Sequence, residues 1–494
     1  MIIPDWLARQ TTARPDRPAL FAPGVTWSFA ELSQRADDLA TRLVALGLRP
    51  GDRLAILAAN CADYVALVHA APRCGAVLVP LNTRLSPAEL VFQAADSAAQ
   101  LILTDTPNLG LAAQIPSPAL GILSFDELWP SPPTPLPAGE GLGVRAEQQS
   151  INLESPHAII YTSGTTGAPK GAMLSYGNHW WSATASALNL GLHEDDRWLA
   201  VLPLFHVGGL SILLRGAIYG IPVVLHERFD PVAVNAAIDD QGVTIISVVA
   251  ATLQRMLDAR GNTPYPPHFR CALLGGGPAP RPLLERCANL GVPVVQTYGL
   301  TESASQAVTL APADALRKLG SAGQPLLPVG LRIDVNGREA TPGEVGEILL
   351  SGPTITNGYV GNPEASAAAL RDGWLHTGDL GHRDAEGYLY VADRRSDLII
   401  SGGENIYPAE VEAALLAHPA VAEAGVIGLP DEHWGQVPIA AVVLRSPATE
   451  AAILTDLRGR LATYKLPRRI IVLSELPRTA SGKLQRRLLR EIIG

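Results

Sequence analysis

Apolar positions near the start of the chain switch between two periods. From Thr26 the stretch TWSFAELSQRADDLATRLVALGL places them at helical spacing behind Ser28, a helix-capping residue type, and RLAILAAN then runs as a short buried strand. The order repeats, with DYVALVHAAPRCGA helical and AVLVPLN strand-like. Such alternation predicts a parallel sheet with helices on its faces. Between about Thr104 and Gln149 the pattern collapses into PSPPTPLPAGEGLG, which reads as loop or insertion because proline and glycine cannot carry a helix or a central strand. Alternation resumes with HAIIYTSG, NHWWSATASALNLGL, RWLAVLPLFH, IPVVLHE, TIISVVA, CALLGGG and PVVQTYG. From Gly343 the segments EVGEILLSG, GWLHTGDLG and GYLYVADR are short, turn-punctuated and strand-rich. Beyond ADRRSD come two strands, a helix from Glu450 to about Ala462 and a third strand, RIIVLSEL, an α+β domain of about 100 residues. The predicted boundary divides residues 1–394 from 395–494.

The composition narrows the class. With 47% hydrophobic and 17% charged residues the 494-residue chain can bury a large core. A net charge of −9 argues against nonspecific nucleic-acid binding. Cys61, Cys74, Cys271 and Cys287 show neither CxxC spacing nor a zinc-like histidine interval, which fits a reduced cytoplasmic protein without structural metal. The start MIIPDWLARQ lacks the apolar run of a signal peptide. GLSILLRGAIYGIPVVLH is interrupted by Arg215 and by a glycine and a proline, so it predicts buried helix and strand rather than a membrane span. Oligomeric state stays open.

Four stretches carry candidate chemistry. YTSGTTGAPKG, residues 161–171, crowds hydroxyls and glycines around Lys170; it suits a phosphate, yet its spacing is not the Walker pattern, and a polar surface turn has the same composition. A strand ending at Tyr161 and a helix starting around Gly177 put it at the carboxyl end of a buried strand, where α/β sheets bind ligands. In GGGPAP and QTYGLTES, Gly275, Gly276 and Gly277 let backbone approach a flat ring, Tyr298 can stack on a base, and Thr301 and Glu302 offer a hydroxyl and a hard oxygen ligand for Mg²⁺. Asp379, in a turn TGD, can bind ribose hydroxyls, and Arg394 can reach the sugar or a phosphate. In PRTASGKLQRR, Lys483 precedes an arginine-rich helix and can neutralise developing charge; such a run is also a common solvated face.

YTSGTTGAPKG, YGLTE, GWLHTGDLG, DRRSDLIISGGENIYPAEVE and PRTASGKL, in this order, resemble the adenylate-forming superfamily of acyl-CoA synthetases, adenylation domains and luciferases. The resemblance implies an α/β fold: a large N-terminal domain of stacked αβα sheets plus a distorted β-barrel, and a small mobile α+β C-terminal domain carrying the catalytic lysine. It implies that a carboxylate attacks the α-phosphate of MgATP and that a thiol, often coenzyme A, then displaces AMP. Thr162, Ser163, Gly164, Thr165, Thr166, Gly167 and Lys170 would then hold the β- and γ-phosphates. Thr301 and Glu302 would serve the α-phosphate and Mg²⁺; Tyr298, Gly299 and the Gly275 to Gly277 backbone would flank adenine; Asp379 and Arg394 would grip ribose. Lys483 would bridge carboxylate and α-phosphate, and Gly402 and Gly403 would pass the pantetheine arm after the small domain turns about a hinge near Arg394. The hinge residue, often aspartate or lysine in the superfamily, is Ser396 here.

Within the superfamily, GNHWWSATASALNLGL, PLFHVGGLSILLRGAIYG and DRRSDLIISGGENIYPAEVE resemble the o-succinylbenzoate–CoA ligase branch of menaquinone biosynthesis. That implies an aromatic acid with a second, spectator carboxylate, for which Ser305 and Gln306 are candidate contacts, and a pocket walled by His206, which as a bare sequence position is equally a core histidine. Trp180 and Trp181 read as helix packing. Another aryl- or acyl-CoA synthetase, an adenylation enzyme loading a carrier protein, and a nucleotide-binding scaffold without turnover remain open alternatives.

Overall fold

The helix and strand alternation builds two sheets in the computed structural model, which describes residues 1–128, 150–162, 169–276, 279, 281–393, 397–477, 484 and 486–494. One sheet has six strands in the order Lys170–Ser175, Pro156–Thr162, Val77–Pro80, Arg53–Leu57, Ala99–Thr104, Ile122–Ser124. The other has nine, and its centre is parallel: Val294–Tyr298, Cys271–Gly275, Ile245–Val249, Trp198–Ala200 and Val223–Leu225 lie side by side. These strands are apolar at nearly every position because both faces are covered. Trp198, Ile245, Leu273 and Val295 belong to one core, whereas their neighbours Leu199, Ile246, Leu274 and Val294 belong to a second. The first core also takes in Phe29, Leu39 and Leu43 from the helix Phe29–Ala45 and Leu67 and Val68 from Ala62–Cys74, with Leu54 and Leu78 of the six-stranded sheet. The second is closed by Val234, Leu253 and Leu283 from three helices.

Ser28 caps Phe29–Ala45 as its position predicts: its hydroxyl accepts from the Glu31 N–H while the Glu31 carboxylate accepts from the Ser28 N–H. The strand-rich region is an antiparallel sheet of Arg338–Glu339, Gly330–Val335, Gly346–Ser351, Trp374–Arg383 and Leu370–Arg371, with Leu389–Asp393 pairing Trp374–Arg383. It stands where the resemblance implied a distorted barrel.

By compactness the described residues form two units. Residues 1–83, 96–160 and 172–392 make the first; residues 84–95, 161–171 and 393–494 make the second. The second is built on the long hairpin Val421–Asp431 with Gly435–Leu444, flanked by Ile399–Ser401 and by Ile470–Val472. One face of the hairpin packs Val426, Ala440 and Val442 under the helices Pro408–Leu416 and Glu450–Arg458, the other Ile427, Ile439 and Ala441 under Arg486–Ile493.

Four sequence expectations need correction. The segment after Thr104 is not all loop: past Gly121, at φ +92°, the apolar run Ile122–Ser124 joins the sheet in parallel with Ala99–Thr104. A strand, Lys170–Ser175, stands between Tyr161 and the next helix, which is Tyr176–Leu190, because AMLS buries Ala172, Leu174 and Ser175. The helix from Glu450 stops at Arg458, where Gly459 ends it. Asp379 is not in a turn between strands. It lies within Trp374–Arg383, where Gly378 at φ +72° and a register shift opposite Glu347 and Leu349 make a bulge.

Candidate active site

Ligand-binding crevices of α/β sheets open at the carboxyl ends of parallel strands, and at that edge the first unit gathers several predicted residues. Cys271–Gly275 runs into Gly276, which has φ +80°; the neighbouring Val294–Tyr298 runs into Gly299 and Leu300. Further along the same edge, Trp198–Ala200 leads into the loop before His206. That loop is pinned by Asn60, whose amide donates to the Leu202 and His226 carbonyls at 3.0 and 3.1 Å and whose oxygen accepts from the Leu204 N–H at 2.9 Å. His206 then occupies the N-cap position of the helix Val207–Tyr219, half-buried and edge-on to Phe205 with ring centroids 4.7 Å apart.

Thr301 and Glu302 lie on one turn of 3₁₀ helix, Thr301–Ser303, entered by a hydrogen bond from the Leu300 N–H to the Ser303 hydroxyl. The exit is strained. Ala304 and Ser305 both have positive φ, +52° and +96°, a conformation that costs a side-chain-bearing residue of order 1–3 kcal/mol. Two features hold it. The Ser182 hydroxyl donates to the Ala304 carbonyl at 2.6 Å, and the buried Arg215 donates to Ser182 at 3.3 Å. At the other side Gly299 makes room: a Cβ there would sit 1.5 Å from the Ser305 carbonyl oxygen. The Glu302 carboxylate accepts from the Tyr359 hydroxyl at 3.0 Å, and its backbone carbonyl accepts from the Thr356 N–H at 2.8 Å.

The bulge brings Asp379 to this corner. Its carboxylate accepts from the Tyr298 hydroxyl at 2.7 Å, and both residues are buried. Thr377 turns the backbone, donating to the Ile348 carbonyl and accepting from the Asp379 N–H, while the Gly378 N–H donates to Glu347. Gln306 is buried at 1% exposure, and neither its Oε1 nor its Nε2 has a partner among the described residues. An unsatisfied buried amide costs about 1–3 kcal/mol, so this side chain suits a polar ligand atom. Ser305 beside it is half-buried.

In the second unit, Thr162 and Lys170 end and begin adjacent strands, and the Thr162 hydroxyl donates to the Lys170 carbonyl at 3.4 Å. Gly402 and Gly403, at φ +56° and +85°, form the two-residue turn between Ile399–Ser401 and Glu404–Ile406, the double positive φ that only glycine-like residues supply readily. The Gly402 N–H donates to the Trp434 carbonyl at 2.8 Å, and a Cβ on Gly402 would lie 2.6 Å from the Trp434 ring. Ser163, Gly164, Thr165, Thr166, Gly167, Gly277, Arg394, Ser396 and Lys483 lie outside the described residues.

Among the described residues no three His, Cys, Asp or Glu side chains cluster as a metal site. One carboxylate, Glu302, matches an ion that arrives on phosphate oxygens, since Mg²⁺ is held by one or two carboxylates plus the nucleotide. Burial raises the Cys61, Cys271 and Cys287 thiols to about 12 and Cys74 to about 11, so all four stay protonated at neutral pH. Sequence reasoning passed over Tyr359, Asn60 and Ser182, which act on other residues; only the contacts of the folded chain mark them.

The model of the AMP-binding enzyme family matches residues 7–360, and that of the AMP-binding enzyme C-terminal domain matches residues 410–483. The chain belongs to the AMP-binding enzyme family. It is 50% identical over 493 residues to the 2-succinylbenzoate–CoA ligase of Geobacillus kaustophilus, covering 99% of this chain and 98% of that one. Among solved structures, a double mutant of o-succinylbenzoate CoA synthetase from Bacillus subtilis, bound to the product analogue OSB-NCoA, superposes with a TM-score of 0.91 at 45% identity over 99% of both chains. The same protein with the acyl-adenylate OSB-AMP gives 0.75 over 99% of this chain and 98% of that one, and with ATP and magnesium ion 0.76 over 99% and 100%, both at 45% identity. Among the described residues no helix is long and apolar enough to cross a membrane.

Proposed function

We propose that the chain ligates 2-succinylbenzoate to coenzyme A at the expense of ATP, through an acyl-adenylate, giving o-succinylbenzoyl-CoA, AMP and pyrophosphate. The observation that carries this reading is the strained corner itself. Tyr298, hydrogen-bonded to Asp379, leads out of its strand into the turn of Glu302 and then to the unsatisfied amide of Gln306, in a chain half identical from end to end to a 2-succinylbenzoate–CoA ligase.

In the first step a substrate carboxylate oxygen attacks the α-phosphorus of MgATP; the bond to the bridging β-phosphate oxygen breaks and pyrophosphate leaves. The protein's part is placement and charge neutralisation. Tyr298 presents its ring to adenine beside the Gly275, Gly276 and Gly277 backbone and Gly299. Asp379, oriented by the Tyr298 hydroxyl, takes the ribose with Arg394. Glu302, steadied by Tyr359, holds the Mg²⁺ that accompanies ATP, and Thr301 contacts the α-phosphate. Thr162, Ser163, Gly164, Thr165, Thr166, Gly167 and Lys170 hold the departing pyrophosphate, and Lys483 bridges the carboxylate and the α-phosphate. In the second step the CoA sulfur attacks the acyl carbonyl, the acyl–oxygen bond to AMP breaks, and the thiol proton goes to solvent. Gly402 and Gly403 pass the pantetheine arm. Gln306 and Ser305 take the spectator carboxylate, directly or through water, and His206 walls the acyl pocket. Residues 1–394 form the adenylation domain and 395–494 the mobile domain that carries Lys483. The reaction supplies an intermediate of menaquinone biosynthesis in the cytoplasm.

The test is acid-dependent pyrophosphate release and CoA consumption across a panel of 2-succinylbenzoate, benzoates and fatty acids. The proposal expects 2-succinylbenzoate to be fastest; benzoates or fatty acids turning over while 2-succinylbenzoate does not would overturn it. Discharge of the adenylate by a carrier-protein thiol in preference to CoA would reassign the second step.

A further inference from the structure

Segment 84–95 joins the second unit although it is flanked in sequence by the first. A buried cluster of charges holds it there. The Lys465 ammonium donates to Glu89 at 2.6 Å and to Glu410 at 2.7 Å, and the three residues are only 3, 8 and 6% exposed. Burial works against the charge on Lys465, but the Glu410 and Glu89 carboxylates together outweigh it and hold its pKa above the ordinary value. Glu89 has a second duty: its other oxygen accepts from the Ser86 N–H and hydroxyl at 2.9 and 2.8 Å, closing the first turn of Pro87–Asp96 as a capping box. Two more contacts come from the same segment. The Ser86 hydroxyl, its one proton shared with Glu89, lies 3.0 Å from the Arg460 carbonyl, and Arg84 pairs with the buried Glu404 at 2.6 Å.

Apolar residues would hold two surfaces together at least as well as a buried ion triad, since desolvation offsets most of the Coulombic gain. What ions with short, directed bonds add is one defined register. Glu404 directly follows the Gly402–Gly403 turn, so the register of segment 84–95 bears on the turn assigned above to the pantetheine arm.

We propose that Glu89, Lys465 and Glu410 form a positioning latch for the thiol half-reaction, fixing segment 84–95 so that Arg84 grips Glu404 and holds the Gly402–Gly403 turn open to the incoming thiol. The inference rests on the proposed function. The three latch residues are not among those assigned above to adenylate formation, so the rates of the two half-reactions separate the latch from that step.

The decisive variant is Glu89→Gln, because glutamine keeps the capping box with Ser86 while removing the charge that Lys465 meets. Two rates are read on the full chain: single-turnover pyrophosphate release from ATP and 2-succinylbenzoate without CoA, and discharge of the accumulated adenylate on adding CoA. The latch expects discharge to fall about tenfold, as for a lost hydrogen bond to a charged group, with release changed less than about twofold. Lys465→Met gives a larger fall and Lys465→Arg recovers part of it. If Lys465→Met does not fold, Glu89→Gln decides. Equal loss in both rates, or unchanged discharge, overturns the latch. If 2-succinylbenzoate gives no pyrophosphate release in the unsubstituted chain, the substrate assignment fails instead, and the same ratio of rates is read with the acid that does.

Discussion

Acid should destabilise the first unit through histidines that folding keeps neutral. His69, His157 and His179 are all buried, and the His157 ring lies 4.7 Å from Tyr176 and 4.8 Å from His179, with no partner for the nitrogens of His157 or His179 among the described residues. Burial lowers His157 and His69 to about 3, with Arg73 and His157 adding to the effect on His69, and lowers His179 well below its usual range, with His157 and Arg215 adding. An unfolded histidine titrates near about 6.5. The unfolded chain therefore binds protons that the native state refuses; the stabilisation is complete above about pH 6.5 and is lost as pH falls towards 3. At pH 5.0 His157 accounts for about 2 kcal/mol of that loss, 1.5 pH units at about 1.4 kcal/mol each. His157→Phe keeps an aromatic ring against Tyr176 and removes the titration. Calorimetric unfolding at pH 5.0 in buffers of different ionisation enthalpy reads proton uptake without assuming a two-state transition. The variant should take up about one proton fewer than the unsubstituted chain. Equal uptake by both would show that His157 is already protonated in the native state, and the reasoning from burial would be wrong.

At the proposed nucleotide corner, Tyr298→Phe removes the hydrogen bond that orients Asp379 and should raise the KM for ATP about five- to tenfold, with a smaller change in kcat, in steady-state assays of pyrophosphate release. Glu302→Gln should lower ATP–pyrophosphate exchange by about 10²-fold and shift the Mg²⁺ optimum upward, since a hard anionic ligand becomes neutral. Gly402→Val places a side chain 2.6 Å from the Trp434 ring at φ +56°, so CoA discharge of a preformed adenylate should fall far more than its formation. Lys483→Ala should do the reverse, abolishing adenylate formation while sparing discharge; equal loss of both steps would contradict separate roles for the two elements.

The parallel core was legible because its strands are apolar on both faces and its helices keep their period; Ser28 read as a helix cap, and the structure adds Glu31 as its partner. Tyr298 and Asp379 stood out on separate motifs, and the fold brings them within a hydrogen bond across 81 positions of sequence. The bulge at Asp379 was not, because TGD reads as a turn until a paired strand requires an offset at Gly378. Lys170–Ser175 was missed because six residues with glycine at the second place carry too little alternation to announce a strand. Segment 84–95 falls inside the predicted division 1–394, although it is compact with the second unit. Its charges look like a solvated helix face until Lys465, 376 residues away, is set against Glu89.

The corner at Gly299 limits how this site can change over generations. Its backbone leaves no volume at Gly299 while Ser305 keeps φ +96°, so neither position can drift alone: a larger residue at 299 first requires the loop at 304 and 305 to relax. Mutational libraries that randomise 299 alone are therefore expected to yield mostly chains disturbed at the corner, whereas exchanges at 306 leave its positive-φ residues in place.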